Sequence, residues 1–137
     1  MESICRELTK DEPKYVYFID YNFHSKVGHT ENYIKRKKQH DSAFKEEGNL
    51  RLVIKCKNNK SFEKHILDKY SEQKKEVSYG VDKINSECFY REINNDIINY
   101  MISLANYMKA SEPEHEIIVN NYERPKIVNI TAERGRR

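Results

Sequence analysis

Tyr15-Val16-Tyr17-Phe18-Ile19 is a run of five β-branched and aromatic residues without a polar break. Such a run reads as a strand buried on both faces rather than one with a wet side. It belongs at the centre of a sheet and needs cover above and below. Residues 20–24 then read as a turn, and Ser25-Lys26-Val27-Gly28-His29 as the returning strand of a short antiparallel hairpin.

The rest of the chain supplies that cover. Thr30 is placed to cap a helix running to Lys38 or slightly beyond. After Gly48, Leu50, Leu52, Ile54 and Cys56 alternate with Arg51, Val53, Lys55 and Lys57, which predicts a third strand with one wet face. Ser61 reads as the cap of a second helix from Phe62 to about Lys74, and residues 75–86 as an irregular loop with a short strand at most in the stretch that follows. From Asn95 to Lys109, Ile97, Met101, Leu104, Ala105 and Met108 form one apolar helical stripe.

A length of 137 residues suits one domain with a tail. The expected division is a leader over 1–13, a domain over 14–109 and an arm over 110–137, where two short strands flank Pro125 before a basic end. The arm would fold onto the domain, pair with a second copy, or order on a partner. Cys5, Cys56 and Cys88 are odd in number, lack a C-x-x-C spacing and predict neither a disulfide framework nor a cysteine zinc site. With no signal-like or membrane-spanning apolar run, the expectation is a soluble intracellular protein without a membrane partner.

The formal net charge of +3 hides an uneven distribution. Residues 1–25 carry 3 basic and 5 acidic side chains, residues 26–75 carry 14 and 7, and residues 76–137 carry 8 and 10. The positive charge is therefore concentrated in the middle third, as in a local phosphate-binding face or a solubilising one.

Helical periodicity places two residues against the pattern. Glu63 lies three, four and seven positions before Ile66, Leu67 and Tyr70, so a carboxylate shares the core-facing stripe. Buried there it needs a partner, whether Arg36, a tyrosine hydroxyl or a metal ion. In the preceding helix, Tyr33, Arg36, His40 and Phe44 fall on one line, which turns Arg36 and His40 inward and leaves Lys35, Lys37 and Lys38 outside. His40 reads either as a half-buried helix-end residue or as part of a site. Tyr15, Tyr17 and Ile19 share one strand face, and Lys26 and Gly28 share one face of the next. Whether Tyr17 meets Lys26 depends on the register. Gly28 permits close approach of a ligand or another chain segment. A zinc set of His24, His29 and His40 is a further reading of the same region.

Taken in order, Tyr15-Val16-Tyr17, Lys26-Val27-Gly28, Arg36, Glu63 and Glu87-Cys88-Phe89 resemble the GIY-YIG nuclease superfamily, most of all its phage and large-virus branch, over about residues 14–91. Lys26 stands where the second motif usually has tyrosine, Tyr15 where the first has glycine, and the asparagine that many members carry after the glutamate helix is not found. The resemblance implies an α/β domain of α+β type, with a small three-stranded antiparallel sheet flanked by helices and here extended by a C-terminal helix and arm. It implies a metal-dependent DNA endonuclease with one magnesium or manganese ion on Glu63. Tyr17, Lys26, Arg36, His40 and Tyr15 are the catalytic candidates, with Lys26 favouring the Tyr17 phenolate and Arg36 offsetting phosphoryl charge. Lys35, Lys37, Lys38, Lys55 and Lys57 are the candidate DNA contacts. A silent DNA-binding module of the same fold, or an interaction protein acting through residues 110–137, is the alternative.

Overall fold

A computed structural model of the chain describes residues 13–81, 83–109 and 116–120. Almost all of the expected leader, and the expected arm outside 116–120 with its basic end, lie outside the described residues. The elements run β1 (Tyr15–Asp20), β2 (Ser25–Thr30), α1 (Tyr33–Phe44), β3 (Asn49–Lys55), α2 (Asn59–Lys69), β4 (Lys74–Ser78), β5 (Ile84–Phe89), α3 (Asn94–Lys109) and β6 (Glu116–Asn120), with short 3-10 turns before β4 and α3. This is an α+β arrangement around one antiparallel sheet in the order β4-β5-β2-β1-β3-β6.

β1 is a central strand, as its composition demands. Val16 and Phe18 join Val27, Leu52, Ile54, Phe62, Ile66, Ile97 and Met101 in a core under α2 and α3. Tyr17, Ile19 and Tyr21 join Val53 on the other face, with Tyr33 and Phe44 of α1 packed over them. The sheet thus lies between α1 on one side and α2 with α3 on the other.

Several expectations are corrected. The sheet has six strands among the described residues, not three. Residues 75–86 are not a loop: most of β4 and the first half of β5 lie there and form a hairpin, which joins β2 through Ser25 opposite Phe89 and Lys26 opposite Cys88. Glu116–Asn120 extends the other edge by pairing with β3, and so folds onto the domain. β3 has no simple wet face. Its register against β1 shifts between Phe18 and Ile19, which pair with Leu52 and Leu50, so Arg51 is the extra residue of a bulge. The slip moves Leu50 to the side of Val53, and both pack under α1.

The helix starts also move. Asn32, not Thr30, caps α1, its side chain accepting from the Lys35 N–H at 3.0 Å. Thr30 closes β2, its hydroxyl accepting from the Asn32 N–H at 3.1 Å. Ser61 lies inside the first turn of α2, whose cap position is Asn58, and the helix ends at Lys69. Among the described residues no helix is long and apolar enough to cross a membrane.

Candidate active site

β5 reaches only Ser25 and Lys26 of β2. Beyond them, at Gly28, His29 and Thr30, a cleft of about 590 Å³ opens between the first turns of α1 and α2. Tyr17, Gly28, His29, Lys35, Arg36 and Glu63 are among its lining residues. β1, α1 and α2 therefore each deliver one of the three side chains expected to meet, Tyr17, Arg36 and Glu63.

The register decides what faces Tyr17. Tyr17 pairs with Gly28 and Ile19 with Lys26, so Tyr17, Gly28 and Lys26 share one sheet face. The Tyr17 ring lies over Gly28, where a Cβ would collide with its phenol end. The glycine thus admits an aromatic ring of its own protein. Its bare edge also lets the cleft reach Tyr17 on one face of the sheet and Glu63, carried by α2, on the other.

Tyr17 is buried, and its hydroxyl sits 2.7 Å from Nε2 of His40. Nδ1 of His40 lies 2.9 Å from the hydroxyl of Tyr79. His40 is thus a buried link between two phenols, outside the cleft lining. Burial, with the Lys26 and Arg36 charges, holds its pKa down at about 4. Burial also pushes the Tyr17 phenol far above its ordinary value; Arg36 opposes this, while Glu63, Tyr79 and Glu87 add to it.

Lys26 does not serve Tyr17 in the expected way. Its buried ammonium donates to the Val27 carbonyl at 3.2 Å and to Oε1 of Glu87 at 2.9 Å. Burial alone would raise the Glu87 carboxyl, but the Lys26 hydrogen bond and charge carry it below its ordinary value. Glu87 itself lines the cleft. The cation that acts on Tyr17 is Arg36, which is solvent-exposed at the cleft wall rather than turned inward and has no hydrogen-bonded or ionic partner among the described residues.

Glu63 is buried, as its periodicity required, but its partner is neither Arg36 nor a tyrosine: Nδ1 of His29 meets its Oε1. The three histidines of the zinc reading go to separate partners, His29 to Glu63, His40 to the two tyrosines, and His24 to a stack with Tyr21. Among the described residues no three His, Cys, Asp or Glu side chains converge on a metal position. A single hard cation that keeps most of its waters needs only one protein carboxylate, and a hydrogen-bonded neighbour such as His29 fixes that carboxylate's orientation. Glu63, held by His29, has the hard oxygen donor that such an ion takes.

The remaining candidates divide. Lys35 and Lys57 line the cleft, joined by Lys14 and Lys60, which sequence reasoning passed over. Lys37 is paired with Asp41 at 2.6 Å, Lys38 is exposed outside the cleft lining, and Lys55 lies opposite Glu116 at the β3–β6 edge. Tyr15 packs edge-on against Tyr33, with ring centroids 5.0 Å apart, and does not line the cleft. Tyr79 was missed, while His29 was read only as a zinc candidate and Glu87 was given no role of its own. Glu87 stood in the quoted Glu87-Cys88-Phe89 motif, and Gly80 after Tyr79 marked a turn; nothing local marked His29 as Glu63's partner. No protein-family model, curated protein or solved structure matches the chain.

Proposed function

We propose that the protein is a divalent-metal-dependent DNA endonuclease of GIY-YIG type. The observation that carries the reading is the meeting of Tyr17, Arg36 and Glu63, distant in sequence, in one cleft with a lysine-bearing rim. A phosphodiester entering it would place its non-bridging oxygens beside the unpartnered Arg36 guanidinium, which offsets charge that grows on them during attack by water. Lys14, Lys35, Lys57 and Lys60 would hold flanking phosphates. Tyr17 would orient the water through its hydroxyl oxygen. Glu63 would hold one magnesium or manganese ion, which when bound polarises the phosphate and stabilises the leaving oxygen.

Incubation of supercoiled DNA with magnesium is expected to give nicked circles that Glu63→Ala abolishes. Equal background nicking by both proteins would overturn the reading. Two observations favour a second reading, a DNA-binding module without catalysis: Lys26 is neutralised by Glu87, and burial disfavours a Tyr17 phenolate. That reading expects salt-sensitive DNA binding by both proteins and nicking by neither.

A further inference from the structure

Tyr79 lies behind the cleft, outside its lining, and reaches the cleft's Tyr17 only through His40. It sits at the β4–β5 turn, and two backbone hydrogen bonds fix it there: Tyr79 N–H to the Lys83 carbonyl at 2.9 Å, and Gly80 N–H to the Ala43 carbonyl of α1 at 2.9 Å. Gly80 has φ +67°, a left-handed conformation suited to glycine, so the turn chemistry itself brings the hairpin against α1. The Tyr79 ring packs edge-on against His40 and Phe44, with centroids 5.6 and 5.0 Å apart. Both ring nitrogens of His40 are thereby engaged by phenols, one facing the cleft and one half-exposed on the far side.

We propose that Tyr79 is the outer member of a proton relay, Tyr17 to His40 to Tyr79, that lets Tyr17 take the proton of an attacking water without becoming a free phenolate. The inference rests on the nuclease reading and supplies what that reading lacks, a route for the proton. In the active tautomer His40 carries its proton on Nδ1. As the water oxygen bonds to phosphorus, its O–H bond breaks and the proton goes to the Tyr17 oxygen. The Tyr17 proton moves to Nε2, the Nδ1 proton moves to the Tyr79 oxygen, and the Tyr79 proton leaves to solvent. One proton passes from the cleft to bulk water, and every group stays neutral. When product has left, the same protons step back, with solvent resupplying Tyr79 and Tyr17 releasing its cleft proton to water.

The surroundings suit a neutral imidazole. Burial is the largest influence against its protonation, Lys26 of β2 and Arg36 of α1 add to it, and Asp41 of α1 and Glu87 of β5 oppose them, so the ring keeps one bare nitrogen to receive a proton. Tyr79 is a positioning residue in this scheme, since it acts only through His40.

The test is nitrogen NMR of the His40 imidazole in the full chain, together with nicking rates, for the wild type and Tyr79→Phe. The expected wild-type spectrum is one neutral tautomer, protonated on Nδ1, persisting below the pH at which an ordinary histidine charges. Tyr79→Phe removes the acceptor of that proton; the tautomer should shift, the melting temperature should hold within a few degrees, and nicking should fall roughly tenfold to a hundredfold. The wild-type proton inventory in mixed light and heavy water should be curved and that of the variant linear. A wild-type ring protonated on Nε2, a tautomer that Tyr79→Phe leaves unchanged, or a shifted tautomer with an unchanged nicking rate each overturns the relay. Wild-type protein that binds DNA but never nicks it overturns the nuclease reading and with it the relay's use, while the spectrum still reports whether the hydrogen-bond chain exists.

Discussion

The ring of Tyr17 occupies the space that a side chain at position 28 would fill. The two residues are directly opposed in the β1–β2 ladder, so neither can move without the other. Gly28→Ala is therefore expected to push the phenol off His40 and to cost about 1–3 kcal/mol through overpacking. Denaturant unfolding measures the cost, and near-ultraviolet circular dichroism the displaced tyrosine. A variant as stable as the parent, with an unchanged tyrosine signal, would contradict the packing.

Lys26 and Glu87 are paired asymmetrically: the lysine side chain is 3% exposed and the glutamate 49%. Removing either partner leaves a different remainder. Lys26→Met leaves a carboxylate that water already reaches, and should cost less than about 1 kcal/mol. Glu87→Ala leaves a buried ammonium with only the Val27 carbonyl, and should cost about 1–3 kcal/mol, below the cost at a fully buried pair because Glu87 is half solvated. Urea unfolding of both variants gives the comparison; equal losses, or the reverse order, would mean that Glu87 is not what keeps Lys26 inside.

How far the sequence carried this picture follows from which forces act locally. The unbroken run at β1 and the stripe on α3 were legible because apolar periodicity alone specifies them. Glu63 was legible as an anomaly for the same reason, but its partner was not, because the β2–α2 packing that supplies His29 leaves no trace in local spacing. The bulge at Arg51 was invisible, since strict alternation over 50–57 is what an unbulged strand would also show. The β4–β5 hairpin was hidden by its polar composition: β4 residues alternate in exposure at the sheet edge, and Lys74 read as the end of a helix and Lys75 and Glu76 as loop until pairing with β5 is known. Lys26 was misread because a charge that looks available in sequence is neutralised by a residue 61 positions away.

Stability should fall with acid through two imidazoles. His40 and His24 are held at about 4 in the fold, His40 by burial with Lys26 and Arg36, His24 by burial and Lys75 against Asp20. In the unfolded chain both would titrate near the ordinary value of about 6.5. Between those values the unfolded chain binds protons that the folded one refuses. The contribution is thus complete above about pH 6.5 and is lost on descending toward 4, on the order of 2 kcal/mol per ring. Asp41 acts in the same direction: burial would raise its carboxyl, but hydrogen bonds from Lys37, Tyr21 and the Gly48 N–H hold it below its ordinary value. His24→Phe keeps the stack between Tyr21 and Phe44 and removes a buried nitrogen without a partner. Melting temperatures measured at roughly pH 5 and pH 7.5 should converge in that variant relative to the parent. An unchanged gap would show that His24 is not among the groups responsible.

DNA binding should separate the lysines of α1 by where they point. Lys35 lines the cleft with Lys57, whereas Lys37 is paired with Asp41 and Lys38 is exposed outside the cleft lining. Each cleft lysine that neutralises a phosphate releases counterions, so its loss should reduce the slope of log affinity against log salt by about 0.9 on duplex DNA. Lys35→Gln combined with Lys57→Gln should therefore flatten the slope by nearly two such increments, while Lys37→Gln combined with Lys38→Gln should leave it close to the parent's. Both double variants remove two formal charges from the middle third, so a general loss of positive field would weaken binding equally in the two. Fluorescence anisotropy across a salt series distinguishes the outcomes, and equal slopes would show that DNA does not enter between the first turns of α1 and α2.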